Sequence, residues 1–119
     1  MTDPGDRYSP YIERLVASVL GPSGHAGAEL RRAALARAAR LAGRRDALGS
    51  SSGDVPPWLG GYVDKVASDA YRISDEDVAA LQGAGGADDA IFEITIAAAV
   101  GAALGRLERG LAALRGEEG

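Results

Sequence analysis

Few residues in this chain are of a type and setting that could do chemistry. Glu93 stands in DDAIFEITIAAAVGAALG, residues 88–105, among isoleucines, alanines and glycines. A carboxylate desolvated by Ile91, Ile94 and Ile96 would hold its proton more tightly and could act as an acid or base near neutral pH. Yet Glu93 also falls in the first turns of a helix that opens with Asp88 and Asp89, where the dipole favours negative charge and the side chain can reach solvent or an arginine. The structural role is therefore the expectation for it. His25, the single histidine, lies in GPSGHAG with no H-x-x-x-H spacing to make it a ligand, and is expected as an exposed loop residue. Tyr62 and Tyr71 complete the set, as hydroxyls that could work with Glu93 in a pocket between subunits. Ser50, Ser51 and Ser52 lack the glycine-flanked nucleophile elbow, and Gly83-Ala84-Gly85-Gly86 lacks the lysine and the preceding strand of a phosphate loop. No metal and no cofactor is expected.

Arginines are the other chemical signal. Residues 29–45 hold Arg31, Arg32, Arg37, Arg40, Arg44 and Arg45 against Glu29, a net of 6 − 1 = +5. Such a cluster could neutralise phosphates, but its members do not share one stripe and the chain as a whole carries −4 with little aromatic surface, so nucleic acid is not the expected partner. Residues 64–93 carry eight acids against Lys65 and Arg72, a net of 2 − 8 = −6. The two segments can face each other within a chain or between subunits.

The elements that must position these residues are helices. At 119 residues, with 46% hydrophobic, 25% charged and only 5% aromatic residues, the chain fits one alanine-rich all-α domain, residues 1–119. It has no cysteine, which removes disulfides, thiolate nucleophiles and cysteine metal sites together. Acids stand where a signal peptide needs a basic start, so a cytoplasmic location is the expectation. The nearly uncharged stretch 90–105 falls short of the roughly 20 residues of a membrane span, so a core helix, not a membrane contact, is expected there.

Ser9-Pro10 reads as the start of a first helix after a flexible 1–8, with Ile12, Leu15, Val16, Val19 and Leu20 on its apolar side and Gly21-Pro22 as its stop. A second helix is expected over about 26–43, with Leu30, Ala34, Leu35, Ala38, Leu41 and Ala42 inward and the arginines on the other side. Residues 46–57 read as a loop. Leu59, Tyr62, Val63, Val66, Ala67 and Ala70 then follow helical spacing behind Pro56-Pro57, with Trp58 as an anchor at the start. Ser74 with Asp77 resembles a capping box opening a short helix to about Gln82, and the last helix is placed over 88–114, ahead of a frayed tail at 116–119. That helix has two stripes: Ile96, Val100, Ala103, Leu104, Leu107, Leu111 and Leu114 form one, and Ile91, Ile94, Ala98, Gly101 and Gly105 the other. The G-x-x-x-G of Gly101 and Gly105 lets two helices approach closely, in the core or across a subunit boundary.

Residues 62–114 of this pattern resemble the C-terminal half of the alkylhydroperoxidase D-like and carboxymuconolactone decarboxylase superfamily. There an amphipathic helix leads to a T/S-x-x-D-V-x-x-L-x-x-x-G helix and turn, and D-x-x-I-x-E opens an alanine-rich helix with a later basic residue. Ser74, Asp77, Val78, Leu81, Gly85, Asp88, Ile91, Glu93 and Arg106 stand at the matching places. The resemblance implies about five helices in an all-α fold whose helical hairpins pack between subunits as dimers, trimers or hexamers. Peroxidase members carry a C-x-x-C pair upstream of this segment, and without cysteine that chemistry cannot be carried over. The reading that follows is a non-redox accessory or structural binding protein that forms a homo-oligomer through its last helix. A different protein as partner, and a cysteine-free decarboxylase-type enzyme using Glu93 with Tyr62 or Tyr71, are the alternatives.

Overall fold

A computed structural model describes residues 4–21, 26–43 and 55–116. Within these the chain is helical: α1 Pro4–Val19, α2 Ala28–Ala42, α3 Pro57–Asp69, a 3-10 turn Ala70–Arg72, α4 Asp75–Gly83 and α5 Asp88–Leu114. No strand occurs among the described residues. His25, Arg44, Arg45, residues 46–54 of the expected loop and residues 117–119 of the expected tail lie outside them.

The central contact is α2 along α5, the most extensive pairing in the fold, with α3 laid against both. Its closeness follows from residue size. Ala33, Ala34, Ala36, Ala38 and Ala39 of α2 are all buried, and the stretch from Leu35 to Ala42 lies against Gly101 and Gly105 of α5. A methyl group added at Gly101 would run into the Leu35 carbonyl oxygen, and one at Gly105 into that of Ala39. Backbone therefore rests on backbone, and the G-x-x-x-G pair is used inside the chain. α3 seals the open side with Leu59, Val63, Val66 and Ala67, which join Ile91, Ile94, Ala98 and Ala102 of α5 in one apolar core.

Local signals set the element ends. Pro57 takes the first turn of α3, where its missing N–H is no loss, so the expected loop ends one residue earlier, at Pro56. Ser74 accepts from the Asp77 N–H at 3.3 Å while Asp77 accepts from the Ser74 N–H at 2.9 Å, completing the capping box. Gly85 turns the chain from α4 into α5 with φ of 102°, a conformation that favours glycine.

Several expectations are corrected. α1 starts at Pro4 and carries Pro10 in its interior, because Pro4 meets the same first-turn preference and an interior proline forfeits only one backbone bond where its ring is accommodated. Arg31 does not share the solvent side with its fellow arginines but is 4% exposed. Leu41, expected inward, is exposed, as is Ala70, which the 3-10 turn carries out of the α3 register. Trp58 is 43% exposed and so does not anchor α3 in the core. Of the two α5 stripes, Ile91, Ile94, Ala98, Gly101 and Gly105 face inward. Ile96, Ala103, Leu107 and Leu114 of the other face outward, and Leu104 crosses into the core.

Candidate functional site

The polar side chains with the most partners sit where α1, α2 and α5 meet. Arg31 projects from the same face of α2 as Leu35 and Ala38, so helical geometry drives its guanidinium into the interior. There its Nε donates to the Ala26 carbonyl at 3.1 Å, one terminal nitrogen to the Val19 carbonyl at 2.8 Å and the other to that of Gly21 at 2.5 Å. Two of these acceptors lie at the C-terminal end of α1, where carbonyls lack partners within the helix and a positive charge suits the dipole. Glu93 completes the cluster: its Oε1 accepts from the Ala26 N–H at 3.0 Å and lies 3.9 Å from Arg31 Nε. The Glu93 side chain is 21% exposed and bridges backbone 67 residues away. It ties the start of α2 to α5.

Tyr62 is buried with its hydroxyl 2.6 Å from Thr95 Oγ1. Since the Thr95 hydroxyl donates its own proton to the Ile91 carbonyl at 2.7 Å, the phenol must be the donor to Thr95. Thr95 lies two residues from Glu93 on α5, and residues so spaced point to nearly opposite sides of a helix. Tyr62 and Glu93 therefore do not meet within one chain. Tyr71 is 85% exposed on the 3-10 turn, so the structure does not gather the three described candidates into a common pocket.

The oppositely charged segments are joined by Arg37 and Asp64 as well as by Arg31 and Glu93, while a further pair, Lys65 with Asp77, lies inside the acidic segment. Arg37 holds Asp64 in a two-pronged contact, Nε to Oδ1 at 2.6 Å and a terminal nitrogen to Oδ2 at 2.8 Å. Lys65 holds Asp77 at 2.7 Å. The hydrogen bond and charge of Arg37 keep the Asp64 carboxyl below its usual range despite some burial, and hydrogen bonds from Lys65 and Ser74 do the same for Asp77. A lowered folded-state pKa means stability that is present above the ordinary carboxylate value and lost as pH falls through the lowered one. In acid titrations of stability, Asp64→Asn should therefore remove part of the loss seen below about pH 4, with an effect at neutral pH under about 1 kcal/mol because the pair is partly solvated.

Beside that pair lies a shallow depression of about 450 Å³ along the outer side of α3, lined by Gly61, Asp64, Lys65, Ser68, Asp69 and Arg72. Its charges of both signs are partly spent on the ion pairs just described. Among the described residues no group of three or more His, Asp or Glu side chains is placed to hold a metal ion, and no buried side-chain nitrogen or oxygen lacks a hydrogen bond.

What remains unspent is apolar. Along the outer side of α5, Phe92 is 65% exposed, Ile96 41%, Leu107 40% and Leu114 76%, with Ala99 and Ala103 exposed between them. These positions recur every three or four residues from 92 to 107 and again two turns later at 114, a strip of about 33 Å at 1.5 Å per residue. By length and apolar composition α5 could cross a membrane, but its opposite face is packed against α2 and α3 in the manner of a core helix. Part of the outward strip was readable as one of the two α5 stripes. Phe92 and the buried role of Arg31 were missed, although the spacing of 31, 35 and 38 is a signal for the latter.

The fold and these contacts define an all-α protein whose well-placed polar groups are tied up in holding helices together. The chain matches no protein-family model, no curated protein and no solved structure.

Proposed function

We propose that this chain is a non-redox accessory or structural protein of alkylhydroperoxidase D-like type that assembles with further copies of itself through α5. The observation that carries this reading is the continuous apolar strip of Phe92, Ile96, Leu107 and Leu114. Scattered exposed apolar residues need no explanation, whereas a contiguous strip rimmed by charge is the usual mark of an interaction surface. The family reading draws support from the Ser74–Asp77 cap, the Gly85 turn and the placement of α5, which follow the order of the motif in residues 62–114. The absence of cysteine separates the chain from the thiol peroxidases of that superfamily.

Light scattering at micromolar concentration tests the assembly. The chain should sediment and scatter as a dimer or larger species, and Phe92→Glu should shift it to monomer while leaving its helicity and melting temperature nearly unchanged, since Phe92 is 65% exposed within the chain. A wild-type monomer would sink the reading. A small molecule that raises the melting temperature and is consumed on incubation would replace it with the enzyme alternative.

A further inference from the structure

We infer that two copies pair antiparallel along α5, each laying its acidic first turn beside the basic final third of the other. This rests on the self-assembly reading and specifies its partner surface. α5 is electrically lopsided: Asp88, Asp89 and Glu93 occupy its N-terminal part with no basic residue among them, and Arg106, Arg109 and Arg115 outnumber Glu108 toward its C-terminal end. A parallel pair would set Asp88 and Asp89 beside their own copies, repeat the conflict at Arg106, and align two helix dipoles. Reversing one helix turns each of these contacts into an attraction.

Side-chain size points the same way. The outward strip is bulky at its start, with Phe92 and Ile96, and small beyond, with Ala99, Ala103 and Gly110 around Leu107. An antiparallel register centred between Ala99 and Val100 sets Ile96 opposite the small Ala103 of the second copy and Phe92 opposite Leu107, so that neither bulky residue meets its own copy. In the same register Asp88 lies at the level of Leu111 and Asp89 at that of Gly110, about one turn or slightly more from Arg106, which flanks the strip, whereas the stem of Arg109 packs on Gly43 of the same chain. Asp88 accepts from Gln82 and Arg106 donates to the Ala67 carbonyl within the chain. A carboxylate has about four acceptor positions and a guanidinium five donors, so each can serve both contacts.

The absence of cysteine makes cross-linking a clean test. Singly substituted Phe92→Cys and Leu107→Cys chains, mixed and mildly oxidised, should form a covalent heterodimer, while Phe92→Cys alone should stay uncross-linked. Asp88→Arg or Arg106→Asp should each raise the dimer dissociation constant about tenfold, because the two-fold axis doubles every contact, and the two in one chain should restore it to within about threefold. Cross-linking of Phe92→Cys alone would overturn the antiparallel arrangement and leave self-assembly standing. A dimer by scattering in which neither experiment cross-links would overturn it in favour of another face. A monomer would overturn both readings, and a monomer that coats phosphatidylcholine vesicles would give the strip to lipid.

Discussion

Gly101→Ala is expected to destabilise the protein by about 3 kcal/mol, although alanine is the better helix former by about 1 kcal/mol at an unobstructed position. The reason is the α2–α5 contact: the added methyl would collide with the Leu35 carbonyl oxygen and lie 2.8 Å from the carbonyl carbon. That carbonyl belongs to the middle of α2, so relief requires moving the whole helix and opening the alanine-lined seam behind it. Gly105→Ala meets the Ala39 carbonyl oxygen, with the Ala42 methyl at 2.9 Å, and should behave alike. Gly61→Ala is the control. It too is an internal helix position, but nothing lies within 4 Å of the added methyl, so a gain of about 0.5–1 kcal/mol is expected. Urea denaturation of the three variants measures both signs, and a stabilised Gly101→Ala would show that α2 and α5 are not in backbone contact.

The second large effect belongs to Arg31. Arg31→Met keeps most of the side-chain volume and removes the guanidinium, leaving the carbonyls of Val19, Gly21 and Ala26 without their donor and Glu93 without its counter-charge. Removing one partner of a buried charge cluster typically costs about 3–5 kcal/mol, and the upper half of that range is reached only if water cannot enter to replace the lost donors. The loss should concentrate on α1, which has few other contacts with the rest of the fold. Hydrogen exchange should therefore quicken across residues 11–20 well before α2 and α5 are affected. Glu93→Gln keeps an oxygen for the Ala26 N–H and should cost less, about 1–2 kcal/mol. Unchanged protection of α1 in Arg31→Met would mean that its apolar side alone holds it in place.

These two sites show where local pattern stops being informative. Helical spacing identifies residues that share a side of a helix, which suffices to place the last helix over 88–114, as observed, and to separate its two stripes. It does not say which stripe faces inward, because both are apolar and the choice depends on what approaches. α2 made that choice: its run of alanines fits the stripe with glycines, since only there can two backbones come close enough to exclude water. The bulkier stripe was left outside. Arg31 illustrates the opposite conflict. Its charge argues for solvent and its register with Leu35 and Ala38 for the interior. The interior prevailed because three carbonyls and Glu93 stand ready to satisfy the guanidinium.

The sequence by itself determined the all-α class, the Ser74–Asp77 cap, the extent of α5 and the absence of thiol chemistry, because each depends on residue type or on neighbours within one or two turns. Only the tertiary structure decided that Glu93 serves backbone 67 residues away, that Tyr62 gives its proton to Thr95, and that an apolar strip of α5 stays exposed. Contacts between distant segments depend on how whole helices cross, and helix crossing is set by the shapes of both surfaces at once.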